Sequence, residues 1–304
     1  MEFLLTHPGG AHKDEFLACC VLLASHSVRI ERREPSAADL INPSVCVLDV
    51  GGLHDPALHN FDHHQFLKDH PPTCTLSLVL QHLGLYDDAR AFCEWLEPTE
   101  WFDSRGPNNT AKWLGVEREV LNQLNSPVDV TLLRRFAGTT VLSPGEPLWE
   151  VMRMIGTDII DFVKSLRSRL DFIDRHAEFW TLESAGSSAR FVFLPRTDPL
   201  PDEPSSGLDQ FLESKGLTEE VVGLVYPDRR GDGYGLSRFR DNARLDFTRI
   251  ADHAKVHFAH ANGFVAKTSA TEKQEIKDLL ARSLVEGSSR QPNNSGLAKP
   301  SKKA

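Results

Sequence analysis

The apolar stretch "VCVLDVGG", residues 45–52, constrains the fold of this chain more than any other feature of the sequence. It is an almost continuous apolar run that is closed by Asp49 and a pair of glycines. Such a run is typical of a strand that is buried within a parallel sheet. The segments "MEFLLTH" (residues 1–7) and "VRIERRE" (residues 28–34) predict two further strands, and apolar residues recur between them at helical spacing from Asp14 onward. The order strand, helix, strand, strand predicts an α/β domain with a mainly parallel sheet.

The remaining sequence predicts a smaller second domain behind a helical connection. The patterns from about Thr75 to Asn125 are mostly helical, and an apolar stripe from Leu148 to His176 predicts one long helix. Strand character follows in "EFWTLES" (178–184), "ARFVFLP" (189–195), "VVGLVYP" (221–227) and "KVHFAHANGF" (255–264), with one intervening helix and one C-terminal amphipathic helix. At 304 residues the chain has room for two domains of about 150 residues each. We therefore predict a first domain over residues 1–147, a connecting helix over 148–176, a smaller α+β domain over 177–285 and a disordered tail over 286–304.

Composition narrows the class of protein. The formal net charge of -9 disfavours a general coat of duplex nucleic acid, although a local basic groove or bridging metal ions would still permit nucleic-acid chemistry. The apolar run from Phe16 to Leu23 is far too short to cross a bilayer, and the residues before it lack the plain basic region of a signal peptide. Five cysteines without a CxxC pair do not form a disulfide framework. We expect a cytoplasmic protein with reduced thiols and no membrane segment.

Histidine and aspartate residues cluster at the predicted strand ends and turns of the first domain. Because the carboxyl ends of parallel strands meet at one edge of a sheet, we expect these side chains to lie close together. The cluster comprises His7, His12, Asp14, Asp49, Asp62, His63, His64 and Asp103.

A divalent metal site follows from the electrostatics of that cluster. Four carboxylates and several imidazoles packed together without a cation would repel one another and lose hydration. Mixed nitrogen and oxygen ligands suit Mn²⁺ or Mg²⁺ better than a structural zinc ion, which favours cysteine. Asp49, at the end of a central strand, is well placed to bridge two ions. A pair of ions activates water and stabilises charge on a phosphoryl oxygen, so the predicted reaction is hydrolysis of a phosphorus–oxygen bond.

Each of these segments also has an ordinary interpretation. A pair of histidines is usually part of a surface turn, and Asp49 with its glycines is compatible with a plain strand end. The metal hypothesis depends on the joint occurrence of the segments.

Three segments together resemble the DHH phosphoesterase superfamily, which is named after the triplet that stands here as Asp62-His63-His64. They are "THPGGAHKDEFLA", "VLDVGGLHDPALHNFDHHQ" and "VHFAHANGF". They are most similar to the melanocyte proliferating gene (Myg-type) family, whose eukaryotic members are assigned as metal-dependent 3′–5′ RNA exonucleases. The resemblance covers most of residues 2–270. It implies that the domain over residues 1–147 is a DHH-type metal-binding catalytic domain and that the smaller domain over 177–285 binds the substrate. It also implies single-stranded RNA or an oligonucleotide as that substrate.

The resemblance also implies a role for each residue. One Mn²⁺ ion would be bound by His7, His12 and Asp49. A second ion would be bound by Asp14, Asp49, His63 and Asp103, with Mg²⁺ as the alternative metal. Asp62 would orient the histidine that follows it, and His64 would contact the phosphate. In the second domain, His260 and Gly263 correspond to the "HA-x-GF" element of the family.

We add Arg238, Arg240 and Arg244 as candidate phosphate contacts, because guanidinium groups suit bidentate recognition. A solvated strand face is an equally good interpretation of these arginines. The chain also departs from the family pattern. Pro8 and Lys13 replace the common Asn and Cys, and the segment around Asp103 lacks the second aspartate of the family.

The sequence supports three functional hypotheses. The first is a phosphodiesterase with a dinuclear manganese centre that acts as an exonuclease on RNA or short oligonucleotides. The second is a pyrophosphatase or small-molecule phosphatase of the same superfamily. The third is a non-catalytic module that binds metal or nucleotide. The sequence leaves the oligomeric state open.

Overall fold

The computed structural model describes residues 1–184, 187–201 and 203–285. The predicted disordered tail, residues 286–304, lies outside the described residues. The chain divides into two compact units, Met1–Ser165 and a second unit that begins at Leu166. This division lies inside the predicted connecting helix. The first unit extends past residue 147 because Trp149, Met152 and Val163 of that helix belong to its hydrophobic core.

The first unit combines one sheet with several helices. Along the chain its elements are β1 (Phe3–Thr6), α1 (Lys13–Leu23), β2 (Arg29–Arg32), α2 (Ala37–Ile41), β3 (Val45–Leu48), β4 (His54–Asp55), β5 (Asn60–Phe61), α3 (Thr75–His82), α4 (Tyr86–Phe92), α5 (Leu96–Leu114), α6 (Arg118–Gln123), α7 (Pro127–Ala137), β6 (Val141–Leu142) and the first part of α8 (Pro147–His176). The predicted strands at β1, β2 and β3 and the mostly helical region after Thr75 are found in the structure.

The sheet of the first unit is parallel at its centre and antiparallel at its edges. β1 pairs in parallel with β2 and with β3, so that Leu4 lies beside Ile30 on one side and beside Cys46 on the other. β3 pairs in parallel with β5. The strand order is β4-β5-β3-β1-β2-β6, and both β4 and β6 run antiparallel to their neighbours. The sequence did not indicate these edge strands, because two residues are too few to show a periodic pattern.

α1 is the central helix of the first unit. Its residues from Asp14 to Leu23 are all buried, which explains why the apolar run of the sequence has no polar face. Gly156 of α8 lies directly against this helix, and a Cβ atom at that position would collide with the carbonyl group of Cys20. The contact requires a glycine because two helix backbones meet there.

The second unit contains a six-stranded sheet within the described residues. After the end of α8 its elements are β7 (Glu178–Ser184), β8 (Ser187–Phe193), α9 (Leu208–Ser214), β9 (Val221–Pro227), β10 (Tyr234–Arg238), β11 (Val256–Ala259), β12 (Val265–Thr268) and α10 (Lys273–Ser283). The strand order is β11-β12-β10-β9-β8-β7. Within the described part of this second sheet, only β8 and β9 pair in parallel. α10 adds Ile276 and Leu280 to a core that includes Phe191 and Phe193. The mixture of strands and helices agrees with the predicted α+β composition, although β10 and β12 were not predicted.

A membrane-spanning element was not expected. Among the helices of the described residues, none has both the length and the apolar composition needed to span a bilayer.

Candidate metal centre

Three neighbouring parallel strands direct the candidate residues to one edge of the sheet. β1 is followed by His7, β3 by Asp49, and β5 by the Asp62-His63-His64 triplet. The strands lie side by side in the order β5-β3-β1 and run in parallel. Their carboxyl ends therefore meet, as the sequence predicted.

Asp49 occupies an unusual backbone conformation at the end of β3. Its φ angle is 60°, in the left-handed region that few residues other than glycine adopt. Its N–H donates to the Phe61 carbonyl at 3.0 Å, which fixes the turn against β5. Gly51 follows with φ of 97°, and a Cβ there would lie 2.8 Å from Leu40 Cδ2. The glycines after Asp49 thus permit a sharp turn that aims its carboxylate away from the strand.

The structure brings together both groups of residues that the family resemblance implied as ligands. Nitrogen and oxygen atoms of His7, His12 and Asp49 lie within 4.8 Å of one another. The same holds for the second group, which consists of Asp14, Asp49, His63 and Asp103. A further group that meets this criterion joins Asp49 to His63 and His64. Asp49 belongs to all of these groups and lies at their centre.

Asp103 reaches the cluster from α5. Its Oδ2 lies 2.6 Å from His63 Nε2, and its Oδ1 lies 3.8 Å from His12 Nδ1. Three residues later, Gly106 takes a non-helical conformation with φ of 74°, and Pro107 follows. α5 is therefore kinked just after the residue that it contributes.

Thr75 connects two of the carboxylates and was not predicted from the sequence. Its N–H donates to Asp14 Oδ2 at 3.2 Å, and its hydroxyl donates to Asp49 Oδ1 at 2.9 Å. It is the first residue of α3, whose N-terminal end carries a partial positive charge that favours nearby anions. A threonine at a helix start is too common for the sequence to single it out.

Asp62 acts on the second histidine of the triplet. Its Oδ1 accepts from the His64 N–H at 3.0 Å and lies 2.7 Å from His64 Nδ1. Its Oδ2 accepts from the Gly52 N–H at 2.6 Å. The expected partner was His63, and the contacts of the Asp62 carboxylate are instead with His64. His63 is directed by Asp49 and Asp103, whose carboxylates lie 3.2 Å and 2.6 Å from its Nε2.

A buried ion pair supports the loop that carries the first two histidines. Glu15 and Arg32 are both buried, and Arg32 Nη2 donates to Glu15 Oε1 at 3.1 Å. Arg32 also donates to the carbonyls of Gly9 and Gly10, at 3.2 Å and 3.1 Å. Glu15 in turn contacts His7 Nε2. The pair therefore fixes the glycine loop between His7 and His12, a role that no sequence pattern indicated.

Close carboxylates raise the basicity of two of the buried imidazoles. Hydrogen bonding with Asp49 and Glu15 raises the pKa of His7 to about 10. Burial lowers the pKa of His63, but Asp103 and Asp49 outweigh that effect and raise it to about 10. Without a cation, the protein thus favours protons on the very nitrogens that would bind one.

The two innermost carboxylates are pushed in opposite directions. Burial raises the pKa of Asp14 well above its usual range, and the charges of Asp49 and Asp103 raise it further. Burial also acts to raise the pKa of Asp49, but hydrogen bonding with His63 and His7 prevails and leaves it below the ordinary value. Asp49 is consequently more strongly ionised than Asp14.

The residues fit a divalent cation with nitrogen and oxygen ligands. Five of their buried atoms have no hydrogen-bond partner of good geometry, although some of them approach one another closely: His7 Nε2, Asp14 Oδ1, Asp49 Oδ2, His63 Nε2 and Asp103 Oδ2. Buried polar atoms normally find partners, because leaving them without one costs free energy. All five cysteines are free, and the metal-competent groups contain none of them. The donor set therefore consists of nitrogen and oxygen atoms and differs from that of a cysteine-rich structural zinc site.

The arginines predicted to contact phosphate have separate partners in the second unit. Arg238 Nε donates to the Leu245 carbonyl at 2.6 Å. Arg240 lies 3.5 Å from Asp209 and 3.3 Å from Glu213, both on α9. Arg244 donates to a backbone carbonyl of β8. Each guanidinium therefore has a structural role, and phosphate binding stays a prediction.

His260 and Gly263 form the turn between β11 and β12. The Gly263 N–H donates to the His260 carbonyl at 2.8 Å, and the His260 N–H donates to the Val265 carbonyl at 2.9 Å. Gly263 has φ of 68°, and a Cβ there would collide with Asp246. The "HA-x-GF" element thus has a clear conformational reason for its glycine, and its role in substrate binding also stays a prediction.

Comparisons with known proteins agree with the resemblance over the first quarter of the chain. Residues 3–75 match the model of the MYG1 exonuclease family, which is described as uncharacterised protein family UPF0160. The MYG1 exonuclease of Bos taurus is 40% identical over 67 residues, which cover 20% of this chain and 16% of that protein. The segment matched by the family model includes every candidate ligand except Asp103. Likeness to a nuclease family therefore extends to most of the candidate centre, while this chain spans only a small part of the relative's length.

Proposed function

We propose that this protein is a metal-dependent phosphodiesterase that acts as a 3′–5′ exonuclease on RNA or short oligonucleotides. The observation that carries the proposal is Asp49, which belongs both to the His7 and His12 group and to the Asp14, His63 and Asp103 group. A carboxylate common to two ligand groups would allow two ions to be held close together, as in dinuclear hydrolytic centres.

Two Mn²⁺ ions would be held by the residues of these groups. His7, His12 and Asp49 would hold one ion, and Asp14, Asp49, His63 and Asp103 the other. When bound, such a pair lowers the pKa of water and stabilises the negative charge that develops on a phosphoryl oxygen. The orphaned nitrogen and oxygen atoms of the buried cluster support this assignment.

His64 is the residue of the triplet that we assign to the substrate. Its side chain is 59% exposed, whereas that of His63 is 6% exposed. Asp62 engages His64 Nδ1, so Nε2 is the nitrogen that would meet a phosphate oxygen. Asp62 is in turn anchored by the Gly52 N–H, which limits rotation of the imidazole. In this proposal, Asp62 positions His64, and His64 orients the scissile phosphate.

The nuclease class also has support from the matched relative, which bears the name of an exonuclease. The contribution of the second unit is proposed on sequence grounds. Arg238, Arg240, Arg244, His260 and Gly263 would assist in substrate binding.

Hydrolysis of a 5′-labelled single-stranded RNA tests the proposal. Protein stripped of metal and reloaded with Mn²⁺ should shorten the RNA stepwise from its 3′ end and release nucleoside 5′-monophosphates. Asp49→Asn should reduce the rate by about a thousandfold or more, because losing a catalytic group commonly costs several kcal/mol of transition-state stabilisation. Asp158→Asn, an exposed aspartate of the same unit, serves as the matched control. Metal-loaded wild-type protein that leaves RNA, DNA and dinucleotides intact would refute the proposal, and cleavage of pyrophosphate alone would indicate a phosphatase.

A further inference from the structure

A large cavity adjoins the candidate metal centre in the first unit. Its volume is about 680 Å³, and its wall is formed by the start of α1 and by residues from the α5–α7 region. His12, Asp14 and Asp103 line it on one side, and these residues also belong to the metal-competent groups. The cavity is therefore continuous with the candidate centre.

The rest of the wall is mainly apolar and partly aromatic. Trp95, Phe102, Leu121 and Leu133 line it. Phe102 directly precedes Asp103 on α5 and is 40% exposed, an unusual position for a phenylalanine next to a cluster of carboxylates. Sites for small organic ligands typically have volumes of about 300–1,000 Å³ and mostly apolar walls with a few polar groups.

Apart from the ligand residues themselves, the wall has few polar groups. Thr99 and Asn125 line the cavity, and Lys13 forms an ion pair with Asp129 at 3.1 Å. The Thr99 hydroxyl donates to the Trp95 carbonyl at 2.8 Å, so toward a ligand it can act as an acceptor. The Asn125 amide can both donate and accept, as the edge of a nucleobase requires.

We infer that this cavity binds the base of the nucleotide whose phosphate lies at the candidate metal centre. The inference rests on the proposed function and narrows its substrate class to esters that carry a flat aromatic group. A pyrophosphate or a small sugar phosphate would leave the apolar wall exposed to water. A base would cover Phe102 and Trp95, and stacking on aromatic side chains accepts every base. Because Asp14 and Asp103 belong both to the cavity wall and to the candidate centre, one nucleotide could place its base in the cavity and its phosphate at the metal.

Binding of two probes to the Mn²⁺-loaded protein tests the inference without any turnover. Adenosine 5′-monophosphate and ribose 5-phosphate share a phosphate and a ribose, and only the first has a base. Isothermal titration calorimetry should show that adenosine 5′-monophosphate binds at least tenfold more tightly, a difference of about 1.4 kcal/mol. Phe102→Ala should reduce this preference to less than threefold and leave the affinity for ribose 5-phosphate unchanged.

Phe162→Ala provides the matched control, since Phe162 lies on α8 outside the cavity wall and is 45% exposed. It should retain the full preference. Leu124→Trp is a second variant that should fill the mouth of the cavity, because Leu124 lines it and is 75% exposed. It too should abolish the preference for the base, so the test does not depend on one substitution alone.

Three results would overturn the inference. The first is equal affinity of the wild type for both probes, and the second is no measurable binding of adenosine 5′-monophosphate at millimolar concentration. The third is a dimer in sedimentation velocity that Phe102→Ala and Leu124→Trp both dissociate, which would identify a second copy of the chain as the occupant. Failure of the proposed function would give a different result. The Mn²⁺-loaded protein would then not cleave RNA, yet it would still bind adenosine 5′-monophosphate more tightly than ribose 5-phosphate.

Discussion

Replacing Asp14 by Asn should have opposite effects on the metal-free and the metal-loaded protein. The Asp14 side chain is buried, and Thr75 donates its N–H to Asp14 Oδ2 at 3.2 Å. An asparagine has almost the same shape and retains an oxygen that can accept this hydrogen bond. It removes one negative charge from a cluster that also contains Asp49 and Asp103. The metal-free variant should therefore be more stable than the wild type, and the variant should gain little stability from Mn²⁺.

The distances set the size of the effect. The ligand atoms of the group lie within 4.8 Å of one another, and Coulomb's law with an effective dielectric constant of about 20 gives a repulsion of about 3–4 kcal/mol for two charges at that distance. The nearby imidazolium groups of His63 and His7 offset part of it. We expect a net gain of about 1–2 kcal/mol for Asp14→Asn, which corresponds to a rise in melting temperature of about 2–8 °C for a unit of this size.

The gain should depend on pH with a definite sign. The pKa of Asp14 in the folded protein lies well above its usual range, whereas in the unfolded chain it is about 3.9. Because the pKa of Asp14 is higher in the folded than in the unfolded state, this residue contributes stability to the metal-free wild type below its unfolded pKa. That contribution is lost as the pH rises through its folded pKa. Asparagine does not titrate. The advantage of Asp14→Asn should therefore be small near pH 4 and largest above the folded pKa.

Thermal unfolding followed by circular dichroism at pH 8 provides the assay, with either chelator or Mn²⁺ present. At an Mn²⁺ concentration about a hundred times the dissociation constant, the wild type should gain about 2.7 kcal/mol, and Asp14→Asn much less. Asp158→Asn should respond to Mn²⁺ as the wild type does. A metal-free Asp14→Asn protein that melts below the wild type at pH 8 would refute the electrostatic reasoning. A melting temperature of the wild type that does not change on addition of Mn²⁺ would refute the metal site.

Three further substitutions test other parts of the structure. Thr75→Val removes the hydroxyl that donates to a ligand carboxylate and should weaken Mn²⁺ binding by about tenfold to a hundredfold in calorimetric titrations. Thr157→Val, which removes a hydroxyl that donates to a backbone carbonyl within α8, should leave the affinity unchanged; equal affinities of the two variants would contradict the role of Thr75. Arg32→Met leaves the buried Glu15 carboxylate without its guanidinium partner and should lower the free energy of unfolding in urea by about 3–5 kcal/mol. The control Arg153→Met, in an exposed ion pair, should lower it by less than about 1 kcal/mol, and similar losses in the two variants would contradict burial of the Glu15–Arg32 pair. Gly156→Ala should lower the free energy of unfolding by about 2 kcal/mol or more, because the added methyl group would collide with the backbone of α1. This loss is expected even though alanine favours helix more than glycine does, and unchanged stability would contradict the contact.

The sequence predicted those parts of the molecule that depend on local patterns. The apolar runs that became β1 and β3 have the composition of buried parallel strands, and parallel strands bring their carboxyl ends together wherever they occur. Positions such as His7 and Asp49 could therefore be assigned to one edge of the sheet. The predicted cluster also included Asp103, and the resemblance to a known family then assigned it to the second ion.

Features that depend on tertiary packing could not be predicted in this way. Thr75 and Arg32 have ordinary sequence surroundings, and only the folded chain shows that they hold Asp14, Asp49 and the glycine loop. The cavity depends on how the α5–α7 region packs, which the period of the sequence does not specify. The sequence likewise cannot show that an acidic residue of α9 lies beside Arg240, whose phosphate contact stays a prediction.

The order of the ligands along the chain has a consequence for synthesis on the ribosome. The histidines and aspartates up to His64 leave the ribosome well before Asp103, which belongs to α5. Because folding of a nascent chain begins at its N-terminus, the β1–β5 sheet edge can form while one carboxylate of the second ligand group is still missing. We therefore expect complete metal uptake to be a late event of biosynthesis, because it requires that α5 has folded onto the β1–β5 sheet edge.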